Sequence, residues 1–151
     1  KPRSRSISSR AAIAIVAINP GRQFAKANNA RRFADVNTIL NAVSQNIVDG
    51  RGTFVAGGCE APIPATFTKI AFDATPENPN TDATYHICGC LVATYIGAMP
   101  VDPTTGVAYT SCTVAYDTGY EISQAATGRV TVRAPSAQSE NGSAPVISVT
   151  R

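Results

Sequence analysis

The side chains best suited to chemistry are four cysteines and one histidine. Cys88 and Cys90 flank Gly89, His86 precedes them, and Cys59 and Cys112 lie to either side. His86, Cys88 and Cys90 would bring three metal ligands together. Structural zinc sites, however, favour cysteines two to four residues apart, usually in two such pairs. An even count favours disulfides, and disulfides imply an oxidising, extracytoplasmic setting. Closing Cys88 directly onto Cys90 across one glycine would be strained. On a strand these two would face the same side. The reading therefore favours Cys59–Cys88 with Cys90–Cys112 over the crossed alternative, Cys59–Cys90 with Cys88–Cys112.

Other chemistry has little support. His86 with a cysteine is the only thiol-enzyme constellation available, and the even cysteine count argues against it. Nucleotide-binding glycine motifs and the G-x-S-x-G elbow are absent from the sequence. One His, one Met and no Trp make poor material for a haem or multi-histidine site. The chain is thus read as a non-enzyme with no required cofactor. Asp102 and Asp117, with nearby threonines and carbonyls, are calcium candidates, but both also suit turn initiation. Asn141-Gly142-Ser143 fits the N-x-[ST] acceptor pattern and marks a loop.

These residues are carried by a helical first third and a β-rich remainder. Phe33, Val36, Leu40, Val43 and Ile47 recur at three and four residues, with Ile39 beside them, and make one apolar stripe. Arg32, Asp35, Asn37, Gln45 and Asp49 are expected opposite it. Gly50 and Gly52 signal the stop. The half over 23–34 has only Phe24 and Phe33 as large anchors and is expected to project. Upstream, the apolar run 11–18 meets Asn19-Pro20-Gly21, where proline kinks or ends a helix. Residues 53–79 read as irregular. Residues 84–96 read as a strand or short helix, and 99–106 as a structured loop. Residues 120–124 and 129–134 alternate and read as a hairpin, and 145–151 as a final strand.

At 151 residues and 44% hydrophobic content the chain can bury one domain core. The longest apolar run has eight residues, too short for the ~20 of a spanning helix. The net charge of +3 hides an asymmetry. Residues 1–32 hold eight basic groups and no acid, and the rest holds five basic and ten acidic groups. A basic end on an acidic body leaves nucleic acid or anionic lipid open as partners. Residues 1–10 have neither apolar periodicity nor stacking aromatics, which favours a solvated arm.

The run Ala27-x-x-Ala30-Arg31-Arg32-x-Ala34-Asp35-Val36-x-x-Ile39-x-x-Ala42-Val43 follows an apolar segment and a proline. Tyr95-Ile-Gly-Ala-Met-Pro-Val-Asp-Pro103 follows later, then Thr118-Gly-Tyr-Glu-Ile and Gly128-Arg-Val-Thr-Val. In this order the segments resemble type IV pilins and the major pseudopilins of type II secretion, over roughly 11–52 and 94–151. The resemblance implies an α+β fold: a long N-terminal α-helix on a three- to four-stranded antiparallel β-sheet, with disulfide-tied loops. It divides the chain into a basic head over 1–10, a helical shaft over 11–52 kinked at Pro20, and a β-rich globular part over 53–151. The head stands where the family has its apolar anchor with a glutamate, and is expected to be an engineered addition.

The function the resemblance implies is structural: a subunit of a cell-surface filament used for adhesion, motility or DNA uptake. Such a subunit is membrane-anchored before assembly. It then associates with its own copies through the N-terminal helix, and with minor pilins and assembly machinery. The interface residues implied are Ile13, Ile15, Val16, Ile18, Pro20, Phe24, Arg31 and Arg32, with the arginines meeting acids on a neighbour or on the globular part. A pseudopilin with a calcium-dependent head, or a stand-alone secreted binding module, are the alternatives.

Overall fold

The computed structural model describes residues 19–54, 62–73 and 84–151. In chain order the elements are α1 (Pro20–Asp49), β1 (Thr68–Phe72), α2 (Cys88–Leu91), β2 (Tyr116–Gln124), β3 (Val130–Ala134) and β4 (Ile147–Thr150). The strands form one antiparallel sheet in the order β1-β2-β3-β4. α1 lies against β3 and β4, and its C-terminal part also meets α2. The fold is therefore α+β, with a long helix on a four-stranded sheet.

α1 begins where local chemistry dictates. Asn19 is extended, at φ −75 and ψ 104, and its side chain accepts a hydrogen bond from the Arg22 amide at 3.4 Å. Pro20 fills the first helical position, where its missing N–H is not needed. The proline thus acts as a helix start for the described chain. The apolar run before it, with Ile13, Ile15, Val16 and Ile18, lies outside the described residues, as does the basic head. At the other end the Gly50 amide bonds Asn46 O and the Gly52 amide bonds Ile47 O, each at 2.8 Å. Arg51 at φ +56 and Gly52 at φ +96 turn the chain away.

Val36, Ile39, Leu40 and Val43 are fully buried and share one core cluster with Ile70, Tyr120, Ile122 and Val132. Burying each such side chain contributes about 1.5–3 kcal/mol. β2 alternates in burial along most of its length, as a half-covered strand should. The expected hairpin forms, pairing Gln124 with Val130, and Gly128 at φ +84 makes its turn. The final strand forms as β4. The ambiguous stretch over 84–96 resolves into the single helical turn α2.

Three expectations are corrected. Phe33 does not belong to the buried stripe and is 55% exposed. Arg32, placed opposite the stripe, is fully buried. The half of α1 over 23–34 does not simply project: Ala25, Asn29 and Arg32 are buried, with Asn29 bonded to the loop over 135–146 and Arg32 to the loop over 99–106. Hydrophobic periodicity could not find this face, because polar side chains make its contacts.

The favoured disulfide pairing is also overturned. Cys88 bonds Cys112, with Cα atoms 5.4 Å apart, and Cys90 is disulfide-bonded too. Cys59 lies outside the described residues. Cys88-Gly89-Cys90 is a helical turn rather than a strand. Residues two apart on a helix point about 200° apart, so the two sulfurs leave in different directions. Peptide mapping without reduction should recover the Cys88–Cys112 link. The paired change Cys88→Ser, Cys112→Ser should cost about 3 kcal/mol in urea unfolding, as expected for a loop of that length.

Candidate functional site

The densest polar constellation lies where α1 crosses the loop over 99–106. Arg32 donates from Nε to Asp102 Oδ2 at 2.6 Å and from Nη2 to Asp102 Oδ1 at 3.0 Å. Both side chains have no solvent exposure. Nη2 also reaches Thr104 Oγ1 at 2.5 Å, and Nη1 donates to Asn29 Oδ1 at 2.9 Å. Asp102 Oδ1 accepts further bonds from the Thr104 amide at 2.8 Å, the Thr104 hydroxyl at 2.9 Å and the Thr105 amide at 3.1 Å. A planar guanidinium matched to a carboxylate in this two-bond geometry is the strong form of an ion pair.

The backbone around the pair is shaped to admit it. The Asp102 amide bonds Thr118 O at 2.8 Å, and the Val107 amide bonds Asp117 O at 2.8 Å, sealing the loop onto β2. Gly119 has φ +73, and a Cβ there would lie 2.6 Å from Asp102 Cβ. At Gly106 a Cβ would collide with Val101. Both glycines are therefore required by close approach of the loop to β2.

Asn29 carries the network into the loop over 135–146. Its Nδ2 donates to Gln138 O at 2.7 Å and to Glu140 Oε1 at 2.8 Å. Its Oδ1 accepts from the Gln138 amide at 2.9 Å as well as from Arg32. Every hydrogen-bonding position of this buried amide is thus used. Asn28 adds a bond to Gln138 Oε1 at 2.8 Å.

One turn further on, the buried Tyr120 hydroxyl donates to Asp35 Oδ2 at 2.8 Å, and Arg31 lies 3.7 Å from the same oxygen. Burial and the Asp35 carboxylate push the Tyr120 phenol well above its usual range. Burial also raises Asp35, against the opposing pull of Tyr120 and Arg31. Asp102 behaves oppositely. Burial disfavours its charge, but Arg32 and the Thr104 and Thr105 donors outweigh that and hold its carboxyl down at about 2.

This arrangement binds parts of one chain together. The Asp102 oxygens are engaged by a guanidinium, which suits neither calcium nor general-base work. Asp117 sits 3.4 Å from Lys69 and accepts from the Gly119 amide, so the two calcium candidates have protein partners. Among the described residues no cluster of three His, Cys, Asp or Glu side chains could hold a metal. His86 stacks on Phe72 with centroids 4.3 Å apart, a packing role.

Of the residues implied as interface, Pro20 starts α1, Phe24 is 69% exposed and Arg31 is exposed beside Asp35. Arg32 is not at the surface, and the acid it meets is Asp102 of its own chain. Sequence reasoning missed Asn29, Thr104 and Gln138. The spacing Asn29, Arg32, Val36, which continues the buried stripe backwards, was the available signal. A groove of about 430 Å³ opens at the C-terminal end of α1 between Val48, Tyr95 and Arg151, where Tyr95 donates to Asp49 at 2.8 Å. No described helix is long and apolar enough to cross a membrane. Comparisons with protein-family profiles, with characterised proteins and with solved structures give no match.

Asp102→Ala should lose about 3–5 kcal/mol in urea unfolding, because it strands a buried guanidinium. Arg32→Met with Asp102→Leu should lose much less than the two single changes summed. The folded-state pKa of Asp102 lies below the unfolded value of about 3.9. Its contribution is therefore present above pH ~4 and fades as pH falls towards 2. Urea titrations across that window should show stability falling in the wild type, with this part of the slope lost in Asp102→Asn.

Proposed function

We propose that this chain is the globular part of a pilin-like filament subunit, structural rather than catalytic. The observation that carries the reading is the division of labour on α1. One face is committed to the sheet and to the Arg32–Asp102 pair. Away from that face Ala27, Ala30 and Ala34 are exposed, and Phe24 and Phe33, 69% and 55% exposed, stand on the two opposite edges of this bare strip. Large aromatic residues left in water on a rigid 30-residue spine suit burial against another copy. The resemblance of 27–43 and 95–103 to type IV pilins supports the same reading, and Arg32 and Asp102 fall in those two segments.

On this reading copies associate head-to-tail through the N-terminal helix, an interface that does not close and so propagates. The subunit waits in the inner membrane, held by an apolar segment, and is then built into an extracellular fibre with minor pilins. Disulfides suit that setting. Adhesion, motility and DNA uptake all rest on this assembly step.

Electron microscopy of sheared surface filaments from the source cells, with mass spectrometry of the same fraction, tests the proposal. The expected result is this chain as main component of thin fibres. Fibres lacking it, or an absence of fibres, would overturn it. Phe24→Asp and Phe33→Asp should leave stability within about 0.5 kcal/mol, since both sites are exposed, yet sharply reduce fibre yield.

A further inference from the structure

Asn141 and Gly142 lie in the exposed loop between β3 and β4, and Gly142 has φ +94. In an Asn-Gly pair the following amide nitrogen has the least hindered path to the side-chain carbonyl carbon, because glycine lacks a Cβ. Among the described residues the Gly142 amide donates no hydrogen bond, so that nitrogen is not held back. Arg22, in the first turn of α1, donates from Nη2 to Asn141 Oδ1. A guanidinium on that oxygen polarises the carbonyl and favours negative charge as it develops there.

We propose that Asn141 is a site of intramolecular deamidation whose acidic product pairs with Arg22. The Gly142 nitrogen attacks Asn141 Cγ and loses its proton. The Cγ–Nδ2 bond breaks and ammonia leaves, giving a five-membered imide. Water then opens the ring, leaving either an aspartyl or an isoaspartyl carboxylate. No oxidant or reductant takes part. The outcome exchanges a neutral amide for a negative charge facing Arg22.

Two features of the molecule favour this end state. The first turn of α1 carries no acid, although a helix N-terminus favours negative charge. A carboxylate at position 141 would supply it from the neighbouring loop. The comparable pair Asp49-Gly50 is differently held: the Gly50 amide is bonded to Asn46 O at 2.8 Å and Asp49 accepts from Tyr95. The fold thus ties down one such pair and leaves the other free to react.

The test is peptide mapping by mass spectrometry of the folded full chain, incubated at neutral and mildly alkaline pH. Amide-to-acid conversion at Asn141 should accumulate ahead of every other asparagine, faster at the higher pH. Gly142→Ala should slow it by about an order of magnitude, since the Cβ obstructs the approach. Asn141→Asp should raise Tm in the wild-type background, and clearly less in Arg22→Gln, where only the helix N-terminus remains to meet the charge. An Asn141 that stays an amide in the folded chain while converting in the unfolded one overturns the proposal. A glycan on Asn141 does so too, and so does a Tm gain that survives Arg22→Gln undiminished.

Discussion

A buried guanidinium is the constraint around which this structure is arranged. Arg32 has no contact with solvent, so its charge must be met inside the protein or the fold does not form. Asp102 meets it with two bonds, and Thr104 and Asn29 take further donors. Such a pair adds little net stability over well-packed apolar residues, because removing both ions from water costs nearly what their attraction returns. What it imposes is geometry. The loop over 99–106 must sit at one height on α1, and it must lie close enough to β2 that Gly106 and Gly119 have no substitute.

The two halves of α1 are consequently held by different forces. From Val36 to Val43 the contacts are aliphatic and the helix packs on the sheet in the ordinary way. From Arg22 to Arg32 the contacts are hydrogen bonds to loops. The apolar half supplies most of the burial. The polar half has few apolar anchors of its own and depends on the loops being in place, and the Cys88–Cys112 bond ties α2 to the chain segment leading into β2.

How much of this was legible in the sequence follows from the same division. Elements built on apolar periodicity were readable: the helix through Val43, the hairpin at Gly128 and the last strand. The structured loop over 99–106 was readable from its prolines, glycine and aspartate. The buried face before Val36 was not, because Asn29 and Arg32 look like solvent-facing residues until their partners are known. Their partners lie between 70 and 111 residues away in sequence, beyond any local pattern. The disulfide pairing failed because four cysteine positions leave two pairings open and nothing local separates them; Cys88 and Cys90 lie about half a turn apart on α2, and Cys88 is the one turned to Cys112.

Polar contacts continue along the whole helix and come from different parts of the chain. Asn141 meets Arg22, Gln138 meets Asn28 and Asn29, Asp102 meets Arg32, Tyr120 meets Asp35, Arg151 meets Asn41, and Tyr95 meets Asp49. Apolar packing tolerates small axial shifts, since one aliphatic contact replaces another at similar energy. Directional bonds do not: a slide of one turn, about 5.4 Å, would break all seven contacts together. The axial position of α1 on the sheet is therefore set by these partners more than by its apolar stripe. Of these links the Arg32–Asp102 pair is the best shielded from competing water, since neither side chain reaches solvent.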